Sequence, residues 1–172
     1  MRHATVDSPL GPLTLVADGA AVVGIYMAGQ AHRPPDERLS EPAPEGDPTL
    51  RAVADQLAQY FAGTRRTFTV PLRPAGTPFQ HAVWDAIAAI PYGTTATYTE
   101  LAEQVGRPTA VRAVGAAVGR NPLTVVVPCH RVVGADGSLT GYAGGLGRKR
   151  VLLALESRAS PPSPDRVHPP TT

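Results

Sequence analysis

The sequence predicts an α/β (α+β) fold in two parts: an N-terminal three-stranded antiparallel sheet with one helix, joined to a mostly helical C-terminal domain. Three observations carry this. Residues 3–27 alternate apolar and polar side chains between turn signals, and residues 49–63 repeat apolar side chains at helical spacing. From residue 76 onward the pattern turns helical. A chain of 172 residues with 42% hydrophobic and 17% charged side chains can bury one good core or two small ones, and its composition is globular.

In "HATVDSPLGPLTLVADGAAVVGIYM" (3–27), "SPLGP" and "ADGA" cut the alternating pattern into three short strands joined by tight turns. Residues 29–48 are Pro-rich and acidic, and read as a loop with little to bury. Leu50, Val53, Leu57, Tyr60 and Phe61 then share one helical stripe, which Gly63 terminates. "TRRTFTVPLRPAG" (64–76) reads as a strand and turn, so the expected domains are 1–75 and 76–157.

The second domain opens with Thr77 as N-cap, Pro78 at the first helical position, and Phe79, Val83, Trp84, Ile87 and Ile90 facing inward. Trp84 is expected in the core. Helices follow at about 99–105 and 108–119, separated by "GRP"; this is the outline of a helix-turn-helix, with an ordinary helical hairpin as the alternative. Val111, Val114 and Val118 form an inward stripe in the second helix, while Arg112 is followed at helical spacing by Gly115, Ala116 and Gly119. Each helical glycine costs up to ~1 kcal/mol relative to alanine, so two in one helix require a reason, such as close approach of another surface. A nearly bald face with one Arg suits a sequence-blind, minor-groove contact; a major-groove reader displays several base-reading side chains. The "RKR" at 148–150 reads as a solvated helix face, and a helix ending in Glu156 precedes a Pro/Ser-rich tail, 158–172, expected to be disordered. His3, His32, His81 and His168 are expected at the surface or in loops.

Several function classes are set aside by composition. No run of about 18 apolar residues exists, which gives no membrane span, and "MRHATVDSPL" lacks the apolar core of a signal peptide, so a cytoplasmic protein is expected. A single cysteine makes no internal disulfide and no Cys-rich zinc site, hence no metal. Net charge is +2 but uneven: residues 1–48 hold three Arg against seven acids, and residues 49–157 hold eleven Arg and Lys against six. A basic second half is compatible with a polyanionic partner.

The lone cysteine lies in "NPLTVVVPCHRVVG" (121–134). Three valines before it favour packing in a core. Against that, Pro128 is out of place in a buried strand, His130 is poorly suited to an apolar core, and a glycine-rich loop follows nearby. A thiol becomes a nucleophile when a His can take its proton, and a carboxylate such as Glu156 can hold that imidazole. On an extended chain neighbouring side chains point to opposite faces, so Cys129 and His130 would need a bend or a bridging water.

Residues 90–156, "IPYGTTATYTELAEQVGRPTAVRAVGAAVGRNPLTVVVPCHRVVGADGSLTGYAGGLGRKRVLLALE", closely resemble the O6-alkylguanine-DNA alkyltransferases, or methylated-DNA–protein-cysteine methyltransferases, in their small stand-alone bacterial form. "PCHRV" at 128–132 is the family signature, at the expected distance after "RAVG" and "NP"; "SPLGPLTLVAD" and "QLAQYFAG" extend the likeness more loosely into the first domain. The resemblance implies a winged-helix/helix-turn-helix second domain acting on double-stranded DNA through the minor groove with little sequence specificity. It implies that Cys129 accepts the alkyl group from O6 of a flipped-out guanine, irreversibly and once per molecule. His130 would act as base through a water, Glu156 would orient that imidazole, and Tyr98 would hydrogen-bond the base and protonate the leaving guanine. Asn121 would tie the recognition helix to the cysteine turn, and Arg112 would fill the vacated stack. Ala110, Ala113 and Gly115 would let the helix backbone approach the groove, with Val118, Val132, Tyr142 and Ala143 lining the base pocket. Many relatives carry Ser at the position of Ala143. No cofactor is implied, and a monomer is expected, with cooperativity along DNA and activity on O4-alkylthymine left open. A cysteine hydrolase using Cys129, His130 and Glu156, and a lesion-binding module without chemistry, are the competing classes.

Overall fold

The computed structural model describes residues 1–39 and 41–159. Strand β1 (Arg2–Val6) pairs antiparallel with β2 (Leu13–Asp18), and β2 pairs antiparallel with β3 (Ala21–Met27). The β1–β2 turn is closed by the Ser8 hydroxyl donating to the Gly11 carbonyl at 2.6 Å, with Gly11 at φ +89°, a conformation open to glycine. The three antiparallel strands are as expected, and a fourth, β4 (Glu41–Pro42), adds to β1 in parallel, giving the order β3-β2-β1-β4. The acidic segment 29–48 therefore does more than span a gap. Leu39 is buried against Val16 and Tyr26, and Gln30 and Asp47 are buried as well. A two-residue strand leaves no period to read, which is why composition alone gave only a loop.

Helix α1 (Pro48–Phe61) starts where Asp47 accepts from the Leu50 amide at 3.0 Å, with Pro48 in the first turn. The Asp47 carboxylate also pairs with Arg2, fastening the helix to β1. Leu50, Val53, Leu57 and Tyr60 are buried and Phe61 is half-buried, so the stripe packs as expected; each buried aliphatic side chain contributes about 1.5–3 kcal/mol. The strand expected within 64–76 does not form. Leu72 alone makes an isolated bridge, to Val22, because Pro71 and Pro74 remove the donors a ladder needs.

Helix α2 (Pro78–Ala88) begins with a reciprocal capping box between Thr77 and Gln80. Val83, Trp84 and Ile87 are buried, Ile90 is buried just beyond the helix end, and Phe79 is half-buried under Arg107. Trp84 lies in the core and donates from Nε1 to the Ala117 carbonyl at 2.9 Å. Strand β5 (Ala96–Thr97) leads into α3 (Tyr98–Gln104), which is followed by α4 (Val111–Gly119), the short parallel partner strand β6 (Val132–Val133) and α5 (Leu146–Ala159). Helix α4 starts three residues later than expected, because residues 107–110 close a separate turn and Ala110 has non-helical angles.

Three expectations are corrected here. Val111 is 36% exposed at the start of α4, and the inward stripe is Val114, Ala117 and Val118. Lys149 of "RKR" is fully buried, donating to the carbonyls of Val132, Thr140 and Gly141, while Arg150 stays exposed. Helix α5 also runs past Glu156 to Ala159. The tail expected from 158 lies outside the described residues beyond Ala159, as does His168.

One hydrophobic cluster extends from Leu10 to Leu152 and joins both halves. The Ile25 amide of β3 donates to the Pro122 carbonyl at 2.8 Å, so the first sheet directly braces the segment leading to Cys129. Among the described residues no helix is long and apolar enough to cross a membrane.

Candidate active site

The segment from α4 to the cysteine is a folded loop. Asn121, buried, donates from Nδ2 to the Val127 carbonyl at 2.8 Å and accepts from the Leu123 amide at 2.9 Å. The loop is thereby closed on itself, with Val125 buried at φ +74°. For a β-branched side chain that conformation costs about 1–3 kcal/mol and persists only where surrounding contacts dictate it. Pro128 then leads into a tight 3-10 turn, Cys129–Arg131, so the extended geometry considered from sequence is replaced by a bend.

Cys129 is only 4% exposed, yet it lines a cavity of about 230 Å³. Tyr98 and Gly115, Val118 and Gly119 of α4, Tyr142 and Ala143 line the same cavity, as do Gly141 and the first-domain residues Ala31 and His32. Burial pushes the Cys129 thiol up, partly offset by the Asn121 side chain, the Lys149 charge and the Tyr142 hydroxyl. Burial likewise pushes the phenols of Tyr98 and Tyr142 up, so both remain protonated near neutral pH. Tyr98 is the first residue of α3, fixed by the capping box of Thr97 and Glu100, with its hydroxyl 3.5 Å from the Thr140 carbonyl.

Behind the thiol lies a fully buried polar cluster. His130 Nε2 is 2.7 Å from Glu156 Oε1. Arg131 grips the same carboxylate twice, Nε to Oε2 at 2.9 Å and Nη2 to Oε1 at 2.8 Å, and its Nη1 donates to the Ile90 carbonyl at 2.7 Å. Burial works against the Glu156 charge, but the hydrogen bonds and charges of His130 and Arg131 outweigh it and hold the carboxyl down at about 2. Burial also pushes His130 below its ordinary 6.5, against the opposing pull of Glu156. A neutral imidazole beside an ionised carboxylate carries its proton on Nε2. Nδ1 is buried with no hydrogen-bond partner among the described residues, and so is the basic atom of the ring.

The sequence-derived residues divide into three groups. Cys129, Tyr98, Gly115, Val118, Tyr142 and Ala143 share the cavity wall. His130, Asn121 and Glu156 are buried behind it. Arg112 and Ala113 are exposed on α4, and Ala110, half-buried, precedes it. Val132 does not line the cavity: it is sealed in β6, paired with Ala96, which corrects its expected place in the base pocket. Arg131, inside "PCHRV", was legible but unassigned; its clamp on Glu156 depends on a partner 25 residues away. Ala31 and His32 had no local signal at all, because the 2.8 Å bond from the Ala31 amide to the Ala143 carbonyl joins distant segments. No group of three His, Cys, Asp or Glu side chains among the described residues is placed to hold a metal ion.

Comparison with known proteins adds to this geometry. The family model described as 6-O-methylguanine DNA methyltransferase, DNA binding domain, matches residues 78–158, and that described as its ribonuclease-like domain matches residues 1–74. The methylated-DNA–protein-cysteine methyltransferase of Mycobacterium tuberculosis is 47% identical over 162 residues, covering 94% of this chain and 95% of its own. That of Methanosarcina acetivorans is 46% identical over 158 residues, covering 91% and 98%. The crystal structure of Mycobacterium tuberculosis OGT in complex with DNA superposes with a TM-score of 0.85 at 46% identity, covering 94% of this chain and 96% of the other. With near-complete coverage on both sides and a matching fold, the chain belongs to the methylated-DNA–protein-cysteine methyltransferase family.

Proposed function

We propose that this protein repairs duplex DNA directly: O6-alkylguanine, chiefly O6-methylguanine, is flipped from the helix, and its alkyl group passes irreversibly to Cys129. The observation that carries the reading is a lone, otherwise buried thiol on the wall of a small cavity, backed in the same turn by a His130–Glu156 pair at 2.7 Å. A volume near 230 Å³ lies below the ~300–1,000 Å³ usual for drug-sized ligands and suits a single flat base. The target atom is inaccessible within the stack, so the nucleotide must swing out, at a cost of a few kcal/mol. The exposed face of α4 would lie against the minor groove, and Arg112 would enter the vacated space and offset part of that cost.

The chemistry follows from the cluster. Neutral His130 takes the thiol proton at Nδ1 through a water, and Glu156 stabilises the imidazolium formed. The thiolate attacks the alkyl carbon; the S–C bond forms as the C–O bond breaks, and Tyr98 supplies a proton to the departing guanine. Its own proton is restored through solvent. The product is a thioether, which cellular reductants do not reverse, so each molecule acts once. With Ala143 in the wall, the hydroxyl that Ser would supply is missing and only the backbone at that position can meet the base.

Incubation with excess O6-methylguanine duplex tests this. Product should plateau at one alkyl group per protein, and Cys129→Ala should give none. Continued turnover would indicate a hydrolase instead, and duplex binding without methyl transfer would indicate a recognition module.

A further inference from the structure

Tyr60 belongs to α1 in the first half of the chain, yet its hydroxyl donates to Glu156 Oε1 at 2.7 Å, across 96 residues of sequence. It is fully buried, and its ring is set edge-on against Phe61 and Tyr92 and tilted against Phe68, so the hydroxyl has a fixed direction. The oxygen it meets is the one that faces His130 Nε2. We propose that Tyr60 is a positioning residue for alkyl transfer, contributed by the first domain, which sets the basicity of His130 by sharing the Glu156 oxygen. The inference rests on the His130–Glu156 relay described above.

Tyr60, His130 and Arg131 Nη2 all meet Oε1, and donors on one carboxylate oxygen compete: electron density drawn by the phenol is withheld from the imidazole. Burial keeps Tyr60 a phenol, and the neighbouring Glu156 charge adds to that, so Tyr60 only donates. The other charged or titratable groups around the cluster are Arg131 from the cysteine turn, Tyr92 after α2, Arg66 over the Tyr92 ring, Lys149 on α5 and the Tyr142 phenol, with Cys129 beyond. Arg131 holds the carboxylate by both oxygens, so loss of the Tyr60 hydroxyl changes the oxygen's basicity more than its position.

The experiment uses the full chain and free O6-benzylguanine, which requires no flipping, and records the rate of Cys129 alkylation against pH. Tyr60→Phe should strengthen the Glu156–His130 bond, stabilise the imidazolium, and move the acid limb upward by about half a pH unit or more, as expected for loss of one hydrogen bond to a charged group. A limb identical to wild type overturns the proposal, even if the variant melts at lower temperature. Should the phenylalanine variant fail to fold, 3-fluorotyrosine placed at position 60 is a stronger donor of nearly the same shape and should shift the limb downward; an unshifted limb overturns the proposal equally. Glu156→Gln separates the two ideas. If it leaves the limb in place, the relay and the part of Tyr60 both fall; if it moves the limb and Tyr60→Phe does not, Tyr60 alone is excluded.

Discussion

Burial raises the free energy of a thiolate and of an imidazolium alike, so Cys129 and His130 are both held neutral at rest. In the proposed mechanism charge would separate only as the thiol proton moves, with Glu156, already ionised and clamped by Arg131, as the preorganised counter-charge. The same shifts link stability to pH. His130 and Glu156 both have folded-state pKa values below their ordinary 6.5 and 4.5, so each binds fewer protons folded than unfolded near those values. Their stabilisation is complete above pH 6.5 and declines as pH falls, first through His130 and then through Glu156 between 4.5 and about 2. Denaturant titrations across that range should show stability falling with acid, and Glu156→Gln should flatten the lower part of the slope; an unchanged slope would contradict the assignment. Arg112 is a separate case, because it is exposed on α4 and touches none of the cluster. Arg112→Ala should slow repair of duplex DNA by about tenfold or more, a loss of at least ~1.4 kcal/mol of flipping support, and leave the reaction with O6-benzylguanine nearly unchanged. Equal losses on both substrates would remove Arg112 from flipping.

The elements place these side chains with little slack. Thr97→Ala removes the α3 capping box, should cost about 1 kcal/mol by chemical denaturation, and should slow transfer further because Tyr98 is the next residue. Lys149→Met would leave three carbonyls, on Val132, Thr140 and Gly141, without their ammonium donor. Loss of about 1–3 kcal/mol or more is expected in thermal unfolding, together with slower alkylation as the loop carrying Tyr142 loosens. Sequence periodicity located α1, α2, α4 and the three long strands, because each repeats apolar side chains often enough to leave a pattern. It missed β4, which is too short to have a period, and proposed a strand near 64–76 where prolines prevent one. It read Lys149 as solvated, since a charge run on a helix says nothing of the carbonyls a distant loop will bring to it. Cys129, Tyr98, Val118, Tyr142 and Ala143 were reachable through the family motif, whereas His32, Ala31 and Tyr60 meet the site only through tertiary contacts.

At the scale of the molecule, the first half does not merely hang on the second. The shared core from Leu10 to Leu152, the β3 bond to the Pro122 carbonyl and the Tyr60–Glu156 bond all cross between them. Calorimetry should therefore give one cooperative transition, and separate transitions for the two halves would contradict a common core. Charge does not follow that division: the acidic excess is confined to residues 1–48, with three Arg against seven acids, and Arg51, Arg65, Arg66 and Arg73 nearly cancel it within the first half. The account as a whole depends on where the alkyl carbon ends. The direct measurement is peptide mapping by mass spectrometry after reaction with O6-methylguanine duplex, quantified against total protein. One added methylene mass, confined to the peptide holding Cys129 and reaching one per molecule, is the predicted result. An unmodified Cys129 alongside demethylated DNA, or the added mass on any other residue, would contradict it.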